Sequence, residues 1–579
     1  MATQPSADPV PGATIAIDGG TDAFIHRGPA VGPESLSRTN EEVNGERMAI
    51  VSLNVTEVTD QFWDAQLAAY TTKAVRTGDV LLASFWARCG SSMTGNARFQ
   101  FDFERTSPPN EKCVSLGFAV GRQWRRFEIP FEVTMDTGAG DSRVAIQLGQ
   151  TRQSLDMAGF SLRNFGPDID IETLPKTELT YDGRASDAAW RAEADRRIRE
   201  HRMADLTVSV RDEAGHPVEG AVVRVHQTRH GFPFGTAVAA GILTQPGPDG
   251  ARYRRVVEEL FNEVTFENEL KWVNHGFGTG TQVEDSIAWL DERDIPIRGH
   301  VLVWPGWQWL PKPVKALEDR PVELRQIVED RVRSAAGRYA GHLVDWDVLN
   351  EPFTNTDLMR ILGDDVMVDW FRLAREADPD ATLYINDFGI LTTGARGNPQ
   401  VEHYERTIRY LLDNGAPIDG VGMQGHFGGV LTAPDDVLAI IDRFAALGLD
   451  IKITELDINL PSSPVQAEYM RDVLTALFSH PAVDGIIVWG FWSERHWLPD
   501  AAFFDAEWNM RPVGLAWYEQ VHRAWWTNAE VVTGSDGAVT VRAFHGDHTV
   551  TVDGSPAKDV MLDADGLTVV ITAAGDQGG

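Results

Sequence analysis

Two glutamates stand at the ends of β-branched runs, where a scaffold could hold a carboxylate rigidly. The first closes Val344-Asp-Trp-Asp-Val-Leu-Asn-Glu-Pro352, in which Val344, Trp346 and Val348 alternate with polar or charged residues. Such alternation is the pattern of a strand. Pro352 removes a backbone donor and favours extended geometry in the residue before it. Glu351 is therefore expected in extended backbone at the C-terminal tip of a strand, beside the amide of Asn350. The second run, Ile451-Lys-Ile-Thr-Glu-Leu-Asp457, is again β-branched and carries Glu455. One such glutamate signifies little, because most are solvated. Two that meet over one cleft suit glycoside hydrolysis, in which one carboxyl protonates the departing oxygen and the other attacks or activates water.

The elements that must position them repeat. From Phe234 to about Trp526, short β segments alternate with helices. The candidate strands are 234–240, 263–267, 296–303, 343–350, 381–386, 419–425, 450–455 and 484–489, with amphipathic helices such as Leu324–Tyr339 and Val401–Asn414 between them. Eight βα repeats predict an α/β fold, a TIM (β/α)8 barrel whose site lies at the C-terminal face. Glu351 then follows strand four and Glu455 ends strand seven. Other strand ends are as rich: Phe261-Asn-Glu-Val-Thr-Phe-Glu-Asn-Glu-Leu-Lys-Trp272, Arg298-Gly-His-Val-Leu-Val-Trp304, Gly420-Val-Gly-Met-Gln-Gly-His-Phe427 and Val488-Trp-Gly-Phe-Trp492. Fourteen of the 18 tryptophans fall between Trp272 and Trp526. Aromatic faces pack on the C–H faces of sugars while Glu, Asn, Lys and His grip hydroxyls, so a cleft lined with both fits a carbohydrate.

The chain of 579 residues is too long for one domain. Residues 1–170 carry short alternating strands such as Val80–Arg88, Ala97–Phe103 and Trp124–Pro130, which predict an antiparallel β-sandwich or jelly roll. Trp63, Trp86 and Trp124 there read first as core and second as a sugar-stacking face. A linker and helix are expected over 171–205. A hairpin, Leu206–Arg211 with Ala221–His226, leads the barrel domain of 206–527, and a small C-terminal β domain over 528–579 contains strands 538–544, 548–552 and 567–572. The formal charge of −33 argues against nucleic acid or an anionic membrane as partner. No apolar run approaches the ~20 residues of a membrane span. Met1–Gly20 lacks the pattern of a signal peptide. Cys89 and Cys113 could pair or stay reduced. No metal is expected, since neither CxxC nor HExxH occurs and His226 and His230 sit at a strand end. Gly276-Phe-Gly-Thr-Gly280 lacks the Lys-Ser/Thr of a phosphate loop.

These motifs, in this order over 206–527, resemble glycoside hydrolase family 10, the retaining β-1,4-xylanase family. The resemblance implies Glu351 as general acid/base, with Asn350 as its hydroxyl-binding neighbour, and Glu455 as nucleophile. It implies His426 beside the nucleophile, oriented by Asp457. Glu267, Asn268 and Lys271 would hold the non-reducing-side sugar, His300 and Trp304 the cleaved sugar, and Trp489 and Trp497 would wall that subsite. Crowding there disfavours a C6 hydroxymethyl group, hence xylan and xylo-oligosaccharides over cellulose, with no cofactor. A retaining pair should lie about 5–5.5 Å apart. Two departures stand out. Trp304 leads into Pro305-Gly-Trp-Gln-Trp-Leu-Pro311 where the family usually has His-Ser-Gln or similar, and Phe388-Gly389 replaces a usual Tyr-Asn. The run from Trp63 to Asn164 resembles jelly-roll carbohydrate-binding modules. Action on a polymer implies a secreted, extracellular protein, expected as a monomer. A barrel glycosidase on another β-linked glycan and a non-catalytic polysaccharide-binding protein are the competing readings.

Overall fold

The computed structural model describes residues 13–573 apart from 58, 60, 93–96, 150–151, 178–179, 275–279, 393–397, 429–430 and 461–463. Most of the glycine-rich run at 276–280 thus lies outside the described residues, as does most of Met1–Gly20. The chain divides into two compact units, with the boundary between Thr180 and Tyr181.

The N-terminal unit is the expected sandwich. One sheet orders strands 36–43, 46–55, 153–164, 80–92 and 125–132, with 14–15 also on 153–164, and the other orders 25–27, 66–70, 142–147, 97–105 and 112–120. Alternation puts every second residue between the sheets, where Phe85, Phe99, Phe101, Phe103 and Phe127 form the core. Such rings dominate core energetics through their buried area and edge-to-face contacts, as in Phe99 on Phe127 at 5.3 Å and 78°. Of the three tryptophans, Trp63 is 53 % exposed. Trp86 and Trp124 instead pack on a small cluster around Val43 and Ile50. Cys89 is buried, Cys113 half-buried, and both are free thiols.

The second unit contains a closed barrel of eight parallel strands. They are β1 (Phe234–Val238), β2 (Glu263–Phe266), β3 (Ile297–Val303), β4 (Asp345–Asn350), β5 (Thr382–Asp387), β6 (Gly420–Phe427), β7 (Asp450–Ile458) and β8 (Val483–Val488). β6 and β7 outrun their expected ends, bringing His426 and Asp457 inside the ladder as direct partners. Six of the outer helices begin on a proline, at 248, 321, 399, 434, 464 and 512, where the missing N–H is lost without penalty. The helix Asp365–Ala377 buries Val366, Trp370, Phe371 and Ala374, one stripe at helical spacing.

The barrel interior holds a ladder of buried charges. Arg298, fully buried, bonds Asp345 at 2.8 Å and also pairs with Asp347. Lys452 bonds Asp345 at 2.6 Å and Glu263 at 2.8 Å. Each charge has a partner, so the ladder ties its strands together, and removal of Lys452 would take away the cation that Glu263 and Asp345 share. Gly299 is required beside it: a Cβ there would lie 2.3 Å from the Trp346 ring.

Two expectations are corrected. The strands at Met203–Arg211 and Val222–His230 do not pair as a hairpin. The first lies between 538–544 and 567–572, and the second between 528–532 and 546–552, which in turn pairs 558–562. Leu206, Val208, Val223 and Val225 share one core with Val541, Val550 and Ile571. The segment before the barrel and the tail after it therefore fold as a single small sandwich, because neither alone has partners for both edges of its strands. The stretch expected as a linker also belongs in part to this unit. Its helix Ala189–His201 seats Trp190 and Ala194 on Leu438 and Ala476, and Tyr181 and Arg191 both bond Asp472. No helix among the described residues is long and apolar enough to cross a membrane.

Candidate active site

Glu351 immediately follows β4 and Glu455 lies within β7. The backbone of Glu351 is not extended as expected: its φ is +51°. A proline excludes the right-handed helical region for its predecessor but leaves the left-handed one open, and tertiary contacts hold it there. Glu351 N–H donates to Asn386 O at 2.8 Å, and the Asn355 N–H donates to Glu351 O at 3.1 Å. Such a conformation in a non-glycine residue persists where its surroundings over-determine it, often at functional sites. Register shifts also fall here, between Met423 and Gln424 and between Ile453 and Leu456; bulges of this kind re-aim side chains.

The two carboxylates have different partners. Glu351 receives Gln424 Nε2 on Oε1 at 3.0 Å and Asn355 Nδ2 on Oε2 at 3.4 Å. Burial pushes it up to about 7, and the nearby negative charge of Glu455 adds to the rise. Glu455, 5 % exposed, receives Asn386 Nδ2 on Oε1 at 2.9 Å and faces His426 Nε2 through Oε2 at 3.1 Å. Burial would raise Glu455 too, but the His426 hydrogen bond and the positive charges of His300, His426 and Lys271 hold it below the ordinary value. Burial also opposes the imidazolium of His426, yet Asp457, with Nδ1···Oδ2 at 2.9 Å, and Glu455 push it up to about 10. The environment thus splits the pair into one group that keeps its proton near neutrality and one that stays charged.

The remaining predicted residues surround this pair. Asp457 Oδ2 also accepts Trp497 Nε1–H at 2.8 Å, and the Trp497 ring meets His426 edge-on at 4.8 Å while staying 52 % exposed. His300 Nδ1 bonds Asp347 at 2.8 Å, and its ring meets that of Trp489 at 5.3 Å. Lys271 Nζ bonds Asn268 at 3.0 Å and lies 5.4 Å from the Trp304 ring centre. Burial lowers Lys271, against the pull of Glu455, Glu267 and Glu351. Burial raises Glu267. Asn350 is fully buried, accepts Asn386 Nδ2 at 2.9 Å and leaves its own Nδ2 without a partner among the described residues, a donor of the kind a sugar hydroxyl would satisfy. In the departing loop, Trp309 stacks on Trp304 at 3.8 Å and 12°.

Sequence reasoning missed three residues that touch the carboxylates: Gln424, Asn386 and Asn355. The first two are polar side chains near the C-terminal ends of barrel strands, a signal the sequence carries. Asn355, in the loop after Pro352, carried none.

The family model described as Glycosyl hydrolase family 10 matches residues 223–520, just over half of the chain. The chain is 32 % identical over 368 residues to anti-sigma-I factor RsgI6 of Acetivibrio thermocellus, covering 63 % of this chain and 46 % of that protein. It is 28 % identical over 361 residues to endo-1,4-beta-xylanase 1 of Arabidopsis thaliana, covering 61 % and 37 %. It thus spans less than half the length of either relative. A solved structure, xylanase 10B from Thermotoga petrophila RKU-1 in complex with xylobiose, shares 28 % identity at a TM-score of 0.46, covering 51 % of this chain and 94 % of that one. The chain belongs to glycosyl hydrolase family 10.

Proposed function

We propose that this protein is an endo-1,4-β-xylanase that hydrolyses internal bonds of xylan with retention of configuration. The observation that carries the reading is the unequal environment of two carboxylates on one barrel face: Glu351 half-buried between two amide donors, Glu455 held charged by His426. Glu455 attacks the anomeric carbon as its bond to the leaving oxygen breaks, and Glu351 delivers its proton to that oxygen. Once Glu455 is esterified its charge is gone, the repulsion on Glu351 falls, and Glu351 takes a proton from the attacking water. That water's oxygen bonds the anomeric carbon and Glu455 leaves as carboxylate. Glu267, Asn268, Lys271, Asn350, His300, Trp489 and Trp497 grip and wall the sugars on either side of the attacked carbon. The N-terminal sandwich serves as a carbohydrate-binding module, and the protein acts outside the cell.

Support comes from the family and from xylanases among its relatives. Incubation with soluble glucuronoxylan should release short xylo-oligosaccharides, and a Glu455→Ala variant should release none. Activity surviving in the variant would remove Glu455 as nucleophile. The loop of Pro305–Leu310 favours a second reading, a different β-linked glycan, because Pro305 follows Trp304 where the family usually has a histidine, and Trp309 stacks on Trp304. Faster initial rates on cellulose or mixed-linkage glucan than on xylan would select it.

A further inference from the structure

The loop after β3, which departs from the family pattern at Pro305, is bound to the residues that follow Glu351. Leu358 N–H donates to Pro305 O at 3.1 Å. Trp307 N–H donates to Asp357 Oδ2 at 2.9 Å, and Gln308 Nε2 donates to Asn355 Oδ1 at 3.3 Å. Gly306 packs so closely that a Cβ there would lie 2.2 Å from Asn355 Oδ1. Asn355, 3 % exposed, turns its other end on Glu351. Its Nδ2 donates to the Glu351 backbone carbonyl at 3.1 Å and reaches carboxyl Oε2 at 3.4 Å.

We propose that Asn355 is a positioning residue for Glu351, its carboxamide tying the left-handed backbone and one carboxyl oxygen together while Gly306 and Gln308 of the β3 loop lock its orientation. The inference rests on Glu351 being the acid/base. A carboxamide has a donor end and an acceptor end. Gln308 occupies the acceptor end, so the donor end faces Glu351. Gln424 donates to the other carboxyl oxygen. Each oxygen of Glu351 therefore has one amide donor, and the remaining lone-pair directions are left for the catalytic proton. A carboxamide has no charge to titrate, so this orientation is held without a further ionisable group. In this chain the loop reaches the acid/base through Asn355.

The test uses the full chain and two substrates, xylan and an aryl β-xylobioside whose leaving group needs no protonation. Asn355→Asp keeps the shape and turns the donor into an acceptor. It should lower kcat/KM on xylan by about 100-fold, the scale of a misplaced catalytic group, and leave the aryl substrate nearly unchanged. The alkaline limb of the xylan profile should move up, because a donor to the anion is lost and a carboxylate is added beside it. The other charged groups facing Glu351, namely Glu455, His426, Lys271 and Asp387, are the same in both proteins. Gly306→Ala adds a methyl group to extended backbone (φ −89°) that alanine adopts freely, so its effect reports the contact with Asn355. It should lower xylan cleavage in the parent and do nothing further in an Asn355→Ala background. Equal losses on both substrates, an unmoved alkaline limb, or additive effects of the two alanines would overturn the proposal. A parent inactive on every glycan removes the proposed function along with it, whereas an active parent with unaffected variants removes this inference alone.

Discussion

Replacing Asp457 with Asn should uncouple the charge relay behind Glu455. Asp457 Oδ2 lies 2.9 Å from His426 Nδ1, and His426 Nε2 lies 3.1 Å from Glu455. Burial works against the imidazolium, yet the two carboxylates raise it from 6.5 to about 10. At 1.36 kcal/mol per unit, that preference amounts to about 5 kcal/mol, and neutralising Asp457, the larger contributor, should remove roughly half, ~2–3 kcal/mol. The sign follows from linkage. A raised folded-state value contributes stability that is fully present below the unfolded value of 6.5 and is lost as pH climbs through about 10. Denaturant unfolding of parent and variant should therefore show a gap of ~2–3 kcal/mol at pH 6 that closes toward pH 10. In activity, Glu455 loses part of the charge that keeps it ionised, so the acid limb of kcat/KM should move up. A gap that is constant across pH, or an acid limb that stays in place, would refute the relay.

Four further outcomes are expected. Glu351 must be protonated for the first step, so the alkaline limb of the parent should fall near pH 7, where burial places that group; a limb well above 8 would count against it. Glu351→Gln should lower xylan cleavage by about 10²–10⁴-fold while sparing formation of the glycosyl-enzyme from an activated aryl glycoside, read as a burst of the aryl alcohol. Leu206→Ala, a fully buried site in the small sandwich, should cost about 2–5 kcal/mol. Deleting 528–579 removes partners from both strands before the barrel, so thermal unfolding should fall for the whole second unit. A deletion variant with unchanged melting would show the tail to be independent after all.

Legibility followed locality. The eight barrel strands announced themselves because parallel strands buried on both faces are short apolar runs between helices, and their observed bounds fall within a few residues of the expected ones. Glu351 and Glu455 were readable because each closes or interrupts such a run with a carboxylate. The pairing of 203–211 and 222–230 with the tail was not readable, since their partners lie some three hundred residues away along the chain. The proximity of the two runs suggested a hairpin that the tail's strands displaced. The backbone of Glu351 was misjudged for the same reason: the influence of Pro352 is local, whereas the bonds from Glu351 to Asn386 and from Asn355 to Glu351 that hold it are tertiary.

From residue types and periods alone came the barrel, the sandwich, the two carboxylates and the aromatic, hydroxyl-gripping company they keep. All of these depend on patterns that repeat every two or three to four residues, or on chemistry carried by a single side chain. Folding alone decided that Glu351 and Glu455 differ, since burial and the choice between an amide and an imidazolium partner exist only once distant strands are adjacent. It also placed Asn355 behind Glu351 and joined the chain's two flanks into one sandwich. Proton affinity and strand partnership are properties of neighbours in space, and those neighbours come from strands and loops far apart in the chain.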